Sequence, residues 1–596
     1  MSISRLQKIN NRVWQVISCK ETAITEKYLV NSRVDAQWEV NNIIKRIDFK
    51  YHKNFIIFGI KNVKLLNEIY RRKTPFSTMT VIEILDESAS DILLNASPQE
   101  LAFVTDPTVT VVMGSGQDII LQLHKALSDL RKMYNLKNTE IISMPYVKSQ
   151  YSREVQNLIN IMFEKIYDTI TGFGNDIEDI LLGIENYLNG WSHVFRSLEC
   201  SRIKNTCQGK TAIIVGAGPS LDKTISEIKK VKNKALILCV DAALDVLLDN
   251  DIVPDVVASI ERTIVTAELY ERDIIPQEIV YVGPNVVPEK IYQRFSRLIF
   301  TGRTGDAVFR DFNKALGFEN LDAGSNVAHV LITFAEYLGC SRLIFTGMNL
   351  AYEEGKTHAA RAYENFTDIE KEYYKSLVVK VKGQHGETLE SYEYFMHAKS
   401  WIENYILNHN QIKFINCSPG GANIEGADNI GFEKILDELQ NESIEAFHQI
   451  YDKLLEGNRI DIITTTNSAI DFFDNLNKYY NKIIKQCEQN YSNLSQLKNS
   501  NITKRIEEYR VGTEKVMSDN VSGAFIVQSL MIKYNRDIRE FPMYLSKEDE
   551  LRLKEISLNY YDTLIKVSKK ITDNIKVYKT VLEHHLNNAL NSKGEL

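Results

Sequence analysis

The chain of 596 residues is too long for one hydrophobic core and predicts about three domains at the usual ~100–200 residues each. Its 71 basic and 78 acidic side chains are interspersed and leave a net charge of −7, which removes the electrostatic footprint of a nucleic-acid or anionic-membrane binder. The seven cysteines are scattered, odd in number and without C-x-x-C spacing, which argues against a zinc site or a disulfide framework and for a reducing compartment. No secretory pattern is read at the start, and the most apolar window, 327–338, is interrupted by His329 and Glu336 and is too short to span a bilayer. A cytoplasmic protein without membrane insertion is expected.

Three regions separate by pattern. Residues 1–204 read as an α/β unit followed by a long helix. Residues 54–59 are strand-like, a helix follows over 62–72, and 79–85 and 109–113 read as further strands. The loop Gly59-Ile60-Lys61-Asn62 has a single glycine and reads as scaffold. From Ser152, apolar residues recur at helical spacing at Val155, Leu158, Ile159, Met162, Ile166 and Ile170.

Residues 205–435 alternate strands and helices in the manner of a doubly wound sheet. Expected strands are 211–215, 235–240, 255–260, 278–282, 297–301, 342–346 and 413–417; their unbroken apolar runs mark burial on both faces. Ligands of such sheets bind beyond the carboxyl ends of the strands. That rule selects Gly216, Gly218, Pro219 and Ser220, Asp241, Glu261 and Arg262, Gly283 and Asn285, Arg303 and Thr304, Gly347 and Asn349, and Ser418. The run Thr211–Asp222 is the most telling. A buried-type strand leads into Gly216-Ala217-Gly218-Pro219-Ser220 and then a helix, the arrangement of a phosphate-binding loop, although Leu221 stands where a dinucleotide fingerprint has its third glycine.

Each remaining candidate has two readings. Asp241, at the end of the second strand, is either a ribose-hydroxyl ligand or a helix N-cap. Gly324, Ser325 and Asn326 precede an apolar helix as ordinary caps or as a second anion-binding helix start. Asn349 places a carboxamide at the sheet's edge beside Tyr352. His358, in the polar loop 355–359, is a general base or a surface histidine. His329 reads as a satisfied interior residue, and His385 as a weaker rival for the base. Arg262, Arg303 and Arg361 are either anion contacts or solvated surface arginines. No metal is assigned in this region.

From 436 to 596 glycine nearly vanishes and long helical patterns dominate; the stripe Phe472, Phe473, Leu476, Tyr479 and Ile483 is helix core. A helical bundle without a catalytic constellation is expected there.

Gly-Ala-Gly-Pro-Ser-Leu-Asp (216–222), Val-Asp-Ala-Ala-Leu (240–244), Ala-Gly-Ser-Asn-Val-Ala (323–328), Phe-Thr-Gly-Met-Asn-Leu-Ala-Tyr (345–352) and Gly-Lys-Thr-His-Ala (355–359), in that order, resemble the motility-associated factor (Maf) family of bacterial flagellin glycosyltransferases. The resemblance extends to the N-terminal α/β region, including 62–86, and to the helical C-terminal region. It implies a central domain similar to bacterial sialyltransferases, with a Rossmann-like, GT-A-like doubly wound sheet. It also implies transfer of pseudaminic or legionaminic acid, both sialic-acid-like nonulosonic acids, from a CMP-activated donor to serine or threonine of flagellin. The family commonly has aspartate where this chain has Asn349, so neither a base nor a metal role is carried to that position. A phosphate and a carboxylate on the donor would suit the helix starts at Ser220 and Ser325, His358 would take the acceptor proton, and no cofactor or metal is required. The central region also resembles an archaeal-type pterin diphosphokinase, which would need ATP and magnesium. A dehydrogenase is disfavoured by Leu221, and a non-catalytic flagellin-binding protein is the remaining alternative.

Overall fold

The computed structural model describes residues 36–594 except 50–53, 74–76, 85–96, 98–100, 107, 115–118, 121, 124–125, 127–138, 173–175, 365–377, 458–459, 498–501 and 538–545. Contacts divide the chain into two compact units: Met1–Gly174 with Leu497–Ile506 and Gln528–Tyr560, and Asn175–Gln496 with Glu507–Val527 and Tyr561–Leu596.

The first unit holds a parallel sheet of β1 (Asn54–Phe58), β2 (Thr78–Ile84), β3 (Val109–Gly114) and β4 (Thr139–Ser143), in the order β3-β2-β1-β4. β1 is buried along its whole length, as its run of Phe and Ile requires. Asn62 caps the helix Val63–Arg72 by accepting from the Leu65 N–H at 3.1 Å. Glu83, at the end of β2, accepts from the Ile60 N–H at 2.6 Å, so the single-glycine loop is tied into the sheet. The helix Ser152–Gly172 buries Val155, Leu158 and Met162, as their spacing predicts. Three of the four strands match expectation to within a residue or two; Leu85, expected to close the second, lies outside the described residues, as does Cys19. The unexpected β4 is an edge strand, and of its five residues only Ile142 is buried. An edge strand needs no continuous apolar run.

The second unit is built on eight parallel strands: β5 (Thr211–Val215), β6 (Leu236–Val240), β7 (Val256–Ala258), β8 (Val280–Gly283), β9 (Arg297–Phe300), β12 (Arg342–Thr346), β15 (Lys413–Asn416) and β16 (Asp428–Asn429). Their order is β16-β15-β12-β5-β6-β7-β8-β9. β10 (Gly302–Arg303) pairs with β11 (Asn320–Leu321), and β13 (Val378–Lys382) with β14 (Thr388–Tyr392) forms an antiparallel hairpin. All seven strands expected in this region are present. The hairpin, exposed or half-buried up to the buried Ser391 and Tyr392, and the two-residue strands carry no apolar run and are additions. The helix Val327–Tyr337 lies over β5, β6 and β7 and is buried from Ala328 to Ala335, so it is apolar all round rather than on one stripe.

Helical segments from the end of the chain complete this unit. The helix Ile462–Gln496 packs on the helix Ala307–Leu316, with the Phe312 ring 4.9 Å from Phe472 and 5.4 Å from Phe473, and Trp191 Nε1 donates to Thr466 Oγ1 at 3.3 Å. Phe473, Leu476, Tyr479 and Ile483 are buried as the stripe predicts. Among the described residues the six cysteines are buried free thiols, and no helix is long and apolar enough to cross a membrane.

Candidate active site

The strand order reverses between β5 and β12, which makes the crevice between their carboxyl ends the topological switch point. Two glycine-bearing loops meet there. The Gly216 N–H donates to Thr346 O at 2.8 Å and the Gly218 N–H to Gly347 O at 2.7 Å. A Cβ on Gly218 would stand 2.6 Å from Gly347 O and 2.5 Å from Asn349 Oδ1, so glycine is required by the close approach of the two loops. Gly347 has φ +63, and its own Cβ would collide with the carbonyl of Gly216.

Asn349 completes the junction. Its Oδ1 accepts from Ser220 N–H at 2.9 Å and from Ser220 Oγ at 2.6 Å, and its Nδ2 donates to Glu353 Oε2 at 3.1 Å. The amide thereby caps the helix Leu221–Lys230 from a neighbouring loop, while Glu353 also pairs with Lys223. An aspartate could make the first two bonds but would set its second oxygen against the Glu353 carboxylate. The N–H groups of Gly216, Gly218 and Ser220 are thus turned to the chain itself, and Pro219, half-buried, has none to offer.

His358 is drawn to the same junction. The Ala359 N–H donates to Ala217 O at 2.8 Å, and Asp222 Oδ2 accepts from the Ala360 N–H at 3.0 Å at the start of the segment Ala360–Glu364. His358 Nδ1 lies 2.8 Å from Thr357 Oγ1, and its ring centroid is 6.2 Å from that of Phe395. Burial pushes its pKa down to about 4, so the imidazole is neutral at physiological pH and able to accept a proton. Tyr352 sits at the hairpin, its N–H donating to Glu390 O at 2.7 Å. His385 is exposed in the hairpin turn, where its N–H donates to Glu387.

Along the other strands, Asp241 is buried at the end of β6. Its Oδ2 accepts from Ser259 Oγ at 2.7 Å, Ser259 Oγ also meets Tyr270 OH at 2.7 Å, and Oδ1 accepts from the Ala242 N–H at 2.9 Å. Burial outweighs these bonds and raises the Asp241 pKa to about 6. A carboxyl with a raised folded-state pKa leaves the fold unpenalised below the unfolded value near 4 and destabilises it increasingly up to about pH 6. Asp241→Asn is therefore expected to gain melting temperature over the wild type between pH 4 and pH 7 and none at pH 3.5, as read by thermal denaturation across that range. Equal shifts at all pH values would contradict the assignment. Gly283 ends β8, where a Cβ would meet Ser259 O at 2.6 Å, and Asn285 is buried. Thr304 Oγ1 donates to Asp322 Oδ1 at 2.5 Å.

Asn326 caps the helix Val327–Tyr337 in a capping box whose partner is His329. His329 Nδ1 accepts from the Asn326 N–H at 3.3 Å and Nε2 donates to Ala398 O at 3.1 Å, with the ring stacked 4.0 Å from Trp401. Its pKa is pushed down to about 3 by burial, the interior role expected of it. A Cβ on Gly324 would strike His329 Nδ1 and stand 2.8 Å from Trp401 Cδ1. Ser325 is exposed, and its carbonyl accepts from Tyr394 OH at 3.0 Å.

The three arginines part company. Arg262 is 4 % exposed and held at 2.5 Å by both Asp179 and Asp306. Arg361 pairs with Asp245 and Asp249 on the helix Leu244–Asp249. Arg303 donates to Gly324 O at 3.0 Å.

Tyr394, at the start of the helix Glu393–Asn408, links these groups. Its hydroxyl donates to Ser325 O, Glu261, Arg303 and Asp241 lie within electrostatic reach of it, and burial raises its pKa to about 12. Its neighbour Tyr392 packs 4.2 Å from Phe395, which faces His358. The structure therefore gathers Asp241, Glu261, Arg303, Ser325, Asn326 and Tyr394 about the strand ends, with Phe395 leading to His358. It leaves Arg262 and Arg361 engaged elsewhere and His385 exposed in the hairpin turn. Tyr394 and Phe395 were not legible beforehand; aromatics opening a helix after a polar hairpin carry no motif. Such a surface can hold a polar ligand by hydroxyl, carboxylate and guanidinium contacts and remove a proton at a neutral imidazole. Among the described residues no group of three or more His, Cys, Asp or Glu is placed to hold a metal ion.

The sequence model of the 6-hydroxymethylpterin diphosphokinase MptE-like family matches residues 185–355. No curated protein matches the chain by sequence. Among solved structures the chain is similar to the Maf glycosyltransferase from Magnetospirillum magneticum AMB-1, with a TM-score of 0.64 at 14% identity over 99% of this chain and 98% of that one. The mixed α/β architecture, with parallel sheets, an N-terminal α/β region and a helical C-terminal region, is thus similar to the fold of that glycosyltransferase.

Proposed function

We propose that the protein is a glycosyltransferase that moves a sialic-acid-like nonulosonic acid, pseudaminic or legionaminic acid, from its CMP-activated form to serine or threonine hydroxyls of flagellin in the cytoplasm. The observation that carries the reading is the likeness to a Maf glycosyltransferase over essentially all of both chains, helical C-terminal region included. The acceptor oxygen attacks the anomeric carbon as the bond to phosphate breaks, CMP departs with the electron pair, and His358 takes the hydroxyl proton. Asp241 accepts hydrogen bonds from ribose hydroxyls, and Ser325, Asn326 and Tyr394 line the sugar's side. No metal or other cofactor is required, because the phosphate is already a fair leaving group.

The match to the pterin diphosphokinase-like family model favours a second reading, pyrophosphoryl transfer from ATP with magnesium to a hydroxymethylpterin. That model spans 185–355 only and leaves the helical region without a task. Calorimetric titration separates the two: CMP is expected to bind without magnesium, whereas magnesium-dependent ATP binding with no CMP binding would favour the kinase. The helical region 436–596 is proposed to hold the acceptor protein. Adding flagellin is expected to slow hydrogen exchange within the helix Ile462–Gln496; slowing confined to residues 54–172 would overturn that placement.

A further inference from the structure

Resting on the donor class proposed above, we infer that Arg303 reads the carboxylate of the sugar acid and so sets the protein's preference for acidic over neutral sugars. Of the three arginines near the carboxyl ends of the strands, Arg262 is saturated. Asp179 and Asp306 grip it at 2.5 Å each, and Phe309 lies 5.0 Å from its guanidinium carbon. Arg361 is committed to the carboxylates of Asp245 and Asp249.

Arg303 is neither saturated nor remote. Among the described residues its guanidinium makes one hydrogen bond, from Nη1 to Gly324 O at 3.0 Å. The closest carboxylate oxygen, Asp306 Oδ2, stands 3.8 Å from Nη2 and is the same oxygen that Arg262 holds at 2.5 Å. The side chain is 15 % exposed, so the cation is largely removed from water without a close anion of its own. Burial accordingly lowers its pKa, against the raising influence of Asp306 and Glu261. A buried guanidinium in this state gains most from a planar anion that accepts two parallel N–H bonds, which is the geometry of a carboxylate.

Its surroundings fit that ligand. The bond to Gly324 O anchors the guanidinium to the loop carrying Ser325 and Asn326, and Tyr394, 40 % exposed, stands close enough to act on it electrostatically. The nucleotide end belongs elsewhere along the sheet. Asp241 ends β6 and Arg303 follows β9, three strands further on in the order, or roughly 14 Å between backbones at the usual ~4.8 Å spacing. A nucleotide whose ribose meets Asp241 at β6 would leave Arg303, that far along the sheet, to the sugar.

The test is calorimetric titration of the full chain, wild type, Arg303→Met and Arg303→Lys, with CMP, with a CMP-activated nonulosonic acid, and with the methyl ester of that donor's carboxylate. Expected are equal CMP affinities for wild type and Arg303→Met, a loss of about 10- to 100-fold for the donor in Arg303→Met, and one weak affinity of both proteins for the ester. Arg303→Lys keeps the charge without the fork and recovers part of the loss; it carries the comparison if the methionine variant melts early. A donor affinity unchanged in both variants overturns the inference, as does a CMP affinity that falls as far as the donor's, which would make Arg303 a phosphate contact. A wild type that binds donor no better than ester overturns the inference while the donor class stands. A wild type that binds no CMP compound removes the donor class and this inference together.

Discussion

Gly218→Ala is expected to lower the unfolding free energy by about 3 kcal/mol and to abolish sugar transfer. The added methyl would stand 2.5 Å from the Asn349 amide oxygen, 2.6 Å from Gly347 O and 3.0 Å from Asn349 N; the last two are backbone atoms, so turning the amide aside gives no sufficient relief. Relief must come from separating the loops that follow β5 and β12, which breaks the 2.7 Å bond from Gly218 to Gly347 and pulls Ser220 off the Asn349 amide. The loop holding His358 moves with them, because Ala359 hangs from Ala217 O. Urea unfolding followed by an activity assay checks both parts. A variant as stable as wild type and fully active would mean that the two loops separate freely.

His358→Ala is expected to slow transfer about 10²- to 10⁴-fold with donor affinity nearly unchanged, the usual worth of a general base. Because burial holds the imidazole near pKa 4, transfer should stay level as the pH is lowered through 6.5 and fall only near 4, on the acid limb belonging to this residue. A loss of less than threefold on substitution, measured under saturating donor, would remove His358 from the chemistry. A protein that only binds flagellin would bind it equally well with or without donor.

Much of the fold could be read from runs of apolar residues. β5, β6 and β12 are buried on both faces, and a strand so placed must be apolar throughout. β4 and the hairpin β13–β14 escaped because exposure frees their sequences from that demand. The helix Ile462–Gln496 could be recognised as a helix, but that Phe472 and Phe473 would pack on Phe312 could not, since an apolar stripe does not name its partner.

The site was legible as a set of positions rather than as roles. The strand-end rule found Asp241, Arg303 and Asn349, yet nothing local says that Asp179 and Asp306 will claim Arg262 and leave Arg303 nearly unbonded. The glycines at 216 and 218 fit an anion cradle and equally fit the close approach of a second loop; the partner that decides, Gly347, lies over a hundred positions away in the chain. Asn349 in place of aspartate looked like a lost charge. With Glu353 beside it at 3.1 Å, the amide is the group that satisfies both Ser220 and the carboxylate.

The most direct test of glycosyl transfer is the intact mass of flagellin incubated with the purified protein and a CMP-activated nonulosonic acid, beside the same mixture lacking the protein. A ladder of added nonulosonic-acid masses that appears only with the protein is the predicted result; flagellin of unchanged mass, with donor intact and bound, would contradict the account.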